Sequence, residues 1–193
     1  CHMDNVLSII EDNPNVPILI KSTISLEGWN MLKHMYPNTR ITFSPEFLRA
    51  ATALEDFQNT KTILLGSGNT GFWADIFITA MGNINIDVAT AQELIVTKYA
   101  RNSFLATKVS FFNQIYELCQ KAGIDYEAVK QHTTADERIG DSHTTITEER
   151  GFGGHCFPKD TKAFLVSAKL NDTQLSILQE AVDYNNSIRK DQV

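Results

Sequence analysis

The chain has 193 residues, of which 42% are hydrophobic and 21% are charged. This balance is typical of globular proteins and excludes wholesale disorder and fibrous repeats. Seventeen basic and 23 acidic side chains give a net charge of −6, which disfavours nucleic acid and anionic membranes as partners. No apolar run approaches the roughly 18 residues of a transmembrane helix.

Four short apolar segments in the first half are predicted strands, at residues 17–21, 39–43, 61–66 and 84–88. Helix-length segments such as 70–81 separate them, so we expect a mostly parallel α/β sheet. Gly66-Ser67-Gly68 follows the third strand. It is either a strand-to-helix turn or a phosphate contact, since the chain has no G-x-G-x-x-G after a strand and no acidic residue placed for a ribose.

The second half is predicted to be helical. One long helix runs from Thr90 to about Ala122, where Gly123 ends it. Its apolar residues cover more than one face, which favours a bridge between domains or pairing with a second copy over burial within one chain. A helix from Asp125 to about 133, a polar loop over 135–150 and helices over 158–170 and 172–189 follow.

We therefore expect an α/β region followed by an all-α region. The sheet is predicted to be the remnant of a parallel, doubly wound sheet, which the long helix joins to a helical dimerisation domain. The change from strand to helix patterns places the domain boundary between residues 88 and 89, giving domains 1–88 and 89–193.

The cysteines indicate the compartment. Cys1 and His2 are typical of an expression-tag remnant and carry no functional argument. This leaves Cys119 and Cys156, and unpaired thiols in an acidic chain favour the cytoplasm and possible thiol chemistry. Because no Cys/His cluster has zinc-ligand spacing, we expect no metal site.

The strongest chemical signal is the string Gly-Phe-Gly-Gly-His-Cys-Phe-Pro-Lys-Asp at residues 151–160. Glycines let the backbone approach a ligand closely, and Pro158 suits a first helical turn. Cys156 is therefore predicted just before a helix N-terminus, where the dipole favours the nucleophilic thiolate. Asp160 lies one turn later. The alternative is a glycine loop with a buried structural cysteine.

This string resembles the active-site cysteine signature of the UDP-glucose/GDP-mannose dehydrogenase family. Other segments resemble further family motifs in the same order. They are Ile-Lys-Ser-Thr-Ile at 20–24, Ser-Pro-Glu-Phe-Leu-Arg at 44–49, the central helix over 93–111, and Arg-Ile-Gly at 138–140. Together the matches extend over about residues 17–189.

The resemblance implies an oxidoreductase that oxidises C6 of a nucleotide sugar twice, from alcohol to carboxylate, with NAD as cofactor. UDP-glucose is the first choice of substrate, while GDP-mannose and UDP-N-acetylhexosamines stay open. The family's cysteine, here Cys156, traps the intermediate aldehyde as a thiohemiacetal that becomes a thioester and is then hydrolysed.

The resemblance also assigns residue roles. It implies that Lys98 and Asn102, one turn apart, stabilise developing oxyanion charge. The other catalytic assignments are Asp160 as base or water-orienting group, Glu46 acting on substrate or water, and Thr23 holding a water. Implied contacts to the nucleotide sugar are Phe47, Leu48, Arg49, Phe152, Gly153 and, in the neighbouring subunit's site, Arg138. Implied NAD contacts are Ser22, Thr23 and Lys159.

Several of these residues also have ordinary interpretations. Lys98 could be a surface lysine and Asp160 a helix-capping residue. Glu46 could be a solvated carboxylate beside a proline turn, and Arg138 a member of a surface ion pair.

The chain departs from the family pattern in three places. Ala50 stands where a second glutamate is usual, and the loop over 141–150 lacks an Asn-rich pattern and carries Glu148 and Glu149. The N-terminal Rossmann half and the C-terminal nucleotide-sugar domain are not matched. Three hypotheses follow: a truncated dehydrogenase, a non-catalytic homodimer formed through the long helix, or a piece that complements another polypeptide.

Overall fold

The computed structural model describes residues 3–49 and 52–190, and its contacts form two compact units, Cys1–Lys98 and Tyr99–Val193. Helices and strands alternate in the first unit: α1 Asp4–Asp12, β1 Ile18–Ile20, α2 Leu26–Met35, β2 Ile41–Phe43, α3 Ala53–Gln58, β3 Thr62–Gly66, α4 Thr70–Met81 and β4 Asn85–Ala89. Helix α5, Ala91–Ala122, continues into the second unit, whose other helices are α6 Tyr126–Thr134, α7 Cys156–Leu170 and α8 Ser176–Ile188.

The four predicted strands form one sheet in the order β1-β2-β3-β4. β1 pairs with β2 in parallel, as does β3 with β4, and one antiparallel pair, Phe43 with Gly66, joins the two halves. The sheet is thus mixed, and the expected α/β region followed by helices is confirmed. β2 is completely buried and β3 is mostly buried, whereas β4, at the edge of the sheet, is half-buried or exposed.

The turn from β3 to α4 is held against β2. Ser67 and Gly68 both have positive φ, at 61° and 62°, and a Cβ at Gly68 would overlap the Ile41 carbonyl oxygen. The Thr42 hydroxyl accepts a hydrogen bond from the Asn69 amide at 3.0 Å. The Gly-Ser-Gly segment is therefore a strand-to-helix turn that requires glycine for close packing.

Helix α5 begins with a capping box. Glu93 accepts hydrogen bonds from the Thr90 amide at 2.7 Å and the Thr90 hydroxyl at 2.8 Å, and the Glu93 amide donates back to that hydroxyl at 3.2 Å. These bonds give partners to backbone N–H groups that have none within the helix at its N-terminus. They also lower the pKa of Glu93. With 32 residues, α5 is about 48 Å long, as its pattern predicts.

The second unit has its own core, in which Phe112, Cys119 and Tyr126 are buried together. Asp125 caps α6 as predicted, accepting from the Glu127 amide. Helix α7 begins at Cys156, two residues before the predicted start. Pro158 permits this because the first-turn N–H groups of a helix have no intrahelical partner, so Cys156 lies within the first turn.

Helix α8 begins at Ser176, later than the predicted residue 172. Asp172 has φ of 52°, a left-handed conformation that belongs to the turn after α7. None of the helices within the described residues has both the length and the apolar character needed to cross a membrane.

Candidate active site

In the first unit, two of the motif segments meet at one edge of the sheet. Ser22 and Thr23 follow β1, and Glu46 follows β2; because these strands are parallel neighbours, their carboxyl ends lie side by side. The Ser44 amide donates to the Ile20 carbonyl at 2.9 Å. Ligands of open α/β sheets bind at this edge, and Ser22 is exposed there while Thr23 is half-buried.

Lys98 is buried beside the start of the Glu46 segment. Only 7% of the residue is exposed, so the interpretation as a surface lysine is wrong. Its Nζ donates to the Glu46 backbone carbonyl at 2.5 Å and lies 5.7 Å from the centre of the Phe47 ring. The Glu46 carboxylate lies 3.7 Å from Nζ of Lys21, a neighbour that the sequence did not single out.

Arg49 is paired within its own segment. Its Nε and Nη2 donate to the Asp56 carboxylate at 3.0 and 2.5 Å, and its amide donates to the same group at 2.9 Å. These bonds hold the pKa of Asp56 well below its usual range. Leu48 is half-buried. Ala50, the departure from the family pattern, lies outside the described residues.

In the second unit, the predicted nucleophile and its neighbours lie at the start of α7. Cys156 is exposed, whereas Cys119 is buried, so Cys156 does not have the position of a structural core cysteine. Asp160, one turn later, is completely buried. Its Oδ2 accepts from Asn102 Nδ2 at 2.6 Å and its Oδ1 accepts from Lys159 Nζ at 2.5 Å. The structure thus brings together Asn102, Lys159 and Asp160.

The glycine loop before Cys156 is partly buried. Phe152 is 5% exposed and its amide donates to Asn185 Oδ1 at 2.6 Å. Gly153 is half-buried, and a side chain there would overlap the Arg189 guanidinium. Because its glycines have no side chains, this loop lets other groups approach its backbone closely.

Arg138 projects into solvent, with 89% of its side chain exposed. It makes a bidentate pair with Asp136, which lowers the pKa of that carboxyl group. The following residues are fixed by Lys108, whose Nζ donates to the Ile139 and Gly140 carbonyls at 2.7 and 2.9 Å. The ion pair expected as the ordinary interpretation is present, and its reach toward a nucleotide stays a prediction.

The sequence missed the residues that hold the loops in place. Lys108, Asn113 and Asn185 all donate or accept side-chain hydrogen bonds to loop backbone. Asn113 carries no local signal in the sequence, since other polar residues, Ser110, Gln114 and Glu117, stand around it. Within residues 3–49 and 52–190, no three His, Cys, Asp or Glu side chains are clustered as a metal site requires.

Comparison with known families gives a match over residues 92–187, to the central domain of the UDP-glucose/GDP-mannose dehydrogenase family. This range covers α5 to α8, apart from the first residue of α5 and the last residue of α8, and includes every predicted site residue of the second unit.

Curated relatives extend the match over most of the chain. A UDP-glucose 6-dehydrogenase of Campylobacter jejuni is 31% identical over 97% of this chain and 48% of its own length. The UDP-glucose 6-dehydrogenase AglM of Haloferax volcanii is 36% identical over 76% of this chain and 35% of its own length. The chain therefore spans about a third to a half of these relatives.

A solved structure shows the same fold. The UDP-glucose dehydrogenase of the hyperthermophilic archaeon Pyrobaculum islandicum is 30% identical, with a TM-score of 0.75, over 88% of this chain and 40% of that one. Sequence, family model and fold agree with the motifs described above. The chain belongs to the UDP-glucose/GDP-mannose dehydrogenase family.

Proposed function

We propose that this chain carries the thiol chemistry of a nucleotide-sugar 6-dehydrogenase, with UDP-glucose as substrate. The observation that carries the proposal is the exposed Cys156 in the first turn of α7, one turn before the buried Asp160 that Asn102 and Lys159 hold. An accessible thiol beside a fixed carboxylate is what a covalent oxidation of an aldehyde requires.

The roles follow from the chemistry of each group. The Cys156 sulfur adds to the C6 aldehyde, forming a C–S bond while the carbonyl oxygen takes up a proton. Oxidation of this thiohemiacetal leaves a thioester; water then adds to its carbonyl, the sulfur leaves and a carboxylate remains. Asp160 orients the water or accepts its proton, and Lys98 and Asn102 stabilise charge on oxygen.

NAD is proposed to contact Ser22, Thr23 and Lys159. Ser22 and Thr23 present hydroxyl groups at the carboxyl edge of the sheet, where they would hold the carboxamide, and Lys159 supplies a cation for a phosphate. The turn at 66–68 packs on Ile41 and Thr42, so it is not a pyrophosphate cradle. When bound, NAD accepts the hydride that leaves C6. Glu46 and Thr23 are proposed to hold water or substrate.

Protection of the thiol tests the proposal without cofactor. The chain is treated with iodoacetamide, with and without the C6 aldehyde of UDP-glucose, and digested with trypsin; residues 151–159 form a peptide with one cysteine. We expect the aldehyde to slow labelling of Cys156 several-fold and UDP-glucose itself to slow it less. Equal labelling with and without aldehyde would overturn the proposal. NADH formation from UDP-glucose and NAD then tests the complete reaction.

A second function is favoured by the surface of α5. Phe104, Phe111 and Leu118 are 69%, 53% and 61% exposed, and their seven-residue spacing places them on one stripe of the helix. We propose that this stripe joins two copies of the chain, whether or not the chain is catalytic. We also propose that another polypeptide could complement this chain. A cytoplasmic location is proposed as well, because the free thiols favour it.

A further inference from the structure

The backbone is strained at the start of the glycine loop that precedes Cys156. Arg150 and Gly151 have consecutive positive φ values of 61° and 55°, and for arginine this left-handed conformation is costly. Such a conformation persists only where contacts with the surrounding structure offset its strain energy. The contacts of Arg150 and Gly151 therefore show what holds the loop.

Helix α5 holds the loop from one side through Asn113. This side chain is 1% exposed. Its Oδ1 accepts from Arg150 Nε at 2.8 Å and from the Gly151 amide at 3.2 Å, and its Nδ2 donates to the Val109 carbonyl of the same helix at 2.9 Å. The buried amide group thus has partners for both its oxygen and its nitrogen.

The Arg150 side chain is fixed along α5 as well. Its Nη2 lies 3.2 Å from Glu117 Oε1, and its guanidinium carbon lies 4.7 Å from the centre of the Tyr116 ring. An ion pair and a cation–π contact together restrict the arginine to one rotamer, which stabilises the strained backbone that carries it.

Helix α8 holds the next residues from the other side. Asn185, also 1% exposed, accepts from the Phe152 amide at 2.6 Å and donates to the Phe152 carbonyl at 3.1 Å. A Cβ at Gly151 would overlap Asn185 Oδ1, so glycine is required there. Arg189 Nη1 donates to the Arg150 carbonyl at 2.9 Å.

We propose that Asn113 and Asn185 are positioning residues for Cys156. The two buried amides bind successive backbone groups of the loop from two helices, and the loop leads within four residues to the first turn of α7. Their effect is to fix where that turn begins and therefore where the sulfur lies. The inference rests on the proposed role of Cys156 as nucleophile.

Four variants separate positioning from general stability. Asn113→Leu and Asn185→Leu keep the side-chain size and remove the hydrogen bonds. Asn113→Asp keeps the oxygen that Arg150 and Gly151 use but loses the donor to the Val109 carbonyl, so it should rescue the loop in part. Asn186→Leu alters an exposed neighbour on α8 and serves as the control. Circular dichroism identifies the temperature range in which all four are folded.

Two measurements follow for each folded variant. Hydrogen exchange of residues 151–154 should accelerate at least about fivefold in Asn113→Leu and Asn185→Leu, because a lost hydrogen bond is worth about 1 kcal/mol or more. Iodoacetamide labelling of Cys156, followed on the 151–159 peptide, should slow about threefold in both, since the thiol loses its fixed place at the positive end of a helix. Asn113→Asp should lie between Asn113→Leu and the original chain, and Asn186→Leu should resemble the original chain.

Unchanged labelling of Cys156 in both leucine variants would overturn the inference, even with faster exchange, because the loop would then not control the sulfur. Loss of labelling in Asn113→Asp to the same extent as in Asn113→Leu would overturn it too. Neither measurement uses NAD or a nucleotide sugar. A chain that fails the aldehyde protection test yet shows this pattern would refute the proposed function while the link between the amides and the sulfur stands.

Discussion

At the scale of single residues, Asp160 imposes the strongest demand on its neighbours. A buried carboxylate is costly unless each oxygen is hydrogen-bonded. Asn102 donates a hydrogen bond to Oδ2 and Lys159 donates one to Oδ1, so both oxygens of this buried group have partners. The two partners differ, because Lys159 is adjacent in sequence while Asn102 comes from α5 and ties the two helices together.

Replacing Asn102 with leucine should lower the free energy of unfolding by about 2 kcal/mol, the worth of a hydrogen bond to a charged group. Urea unfolding followed by circular dichroism measures this. Gln120→Leu, an exposed substitution on the same helix, should stay within about 0.5 kcal/mol of the original. Equal effects in the two variants would show that the bond to Asp160 contributes nothing.

A second residue-scale prediction concerns Tyr126, whose hydroxyl donates to the Thr144 carbonyl at 2.5 Å. Burial raises its pKa to about 12, from an ordinary value near 10. The folded state therefore keeps a proton that the unfolded state loses, and stability should fall as the pH rises from about 10 to 12, by on the order of 1 kcal/mol per pH unit.

Tyr126→Phe should lower stability at neutral pH by about 1 kcal/mol and make this alkaline decline shallower. Urea unfolding at a series of pH values compares the two chains. Burial also raises the pKa of Tyr184 to about 12. Part of the alkaline loss of stability should therefore remain in Tyr126→Phe. Parallel curves for the two chains would contradict the assignment to Tyr126.

At the scale of elements, the β3–α4 turn shows how packing and backbone conformation act together. Gly68 and Gly123, the residue after α5, both have positive φ, at 62° and 68°. An added Cβ at Gly68 would overlap the Ile41 carbonyl, whereas at Gly123 it would have open space around it. The two glycines therefore share one backbone requirement and differ in steric surroundings.

Gly123→Ala should lower the free energy of unfolding by about 1 kcal/mol, the cost of a left-handed alanine. Gly68→Ala should lower it by at least about 3 kcal/mol, because overpacking against β2 is added to that cost. Thermal and urea unfolding of both variants give the difference directly. Similar losses would show that the turn can move away from Ile41.

At the scale of the whole molecule, the exposed apolar stripe of α5 is the feature that a lone chain does not explain. Contiguous exposed apolar side chains are typical of protein interfaces. Phe111 is the middle member of the stripe, and Gln120 is an exposed polar residue on the opposite face of α5. A charge at the first should disrupt an interface that the same charge at the second leaves intact.

We expect the chain to sediment as a dimer at micromolar concentration, and Phe111→Glu to sediment as a monomer, because burying an unpaired carboxylate opposes association. Gln120→Glu should remain dimeric. Analytical ultracentrifugation measures all three. A monomeric original chain would refute the dimer, and a dimeric Phe111→Glu would place the interface elsewhere.

The element pattern and the chemical signature could be read from local sequence. Strands, the bounds of α4 and α5, and the Asp125 cap all depend on periodicity and on residues within one or two turns. The predicted starts of α7 and α8 were wrong. The conformation of the loop before each helix decides which residue begins the first turn, and that conformation depends on tertiary contacts. The cysteine string was recognisable because glycines and a first-turn proline are local requirements.

Which distant residues the motif side chains contact was decided by the tertiary structure alone. Burial of Lys98 against the Glu46 carbonyl, the bond from Asn102 to Asp160, and the hold of Asn113 and Asn185 on the loop join residues 33 to 58 positions apart. No periodicity encodes such pairs, because they form only when separate helices pack together and their buried polar groups must find partners. Sequence determined the chemistry that is present, and packing determined its arrangement.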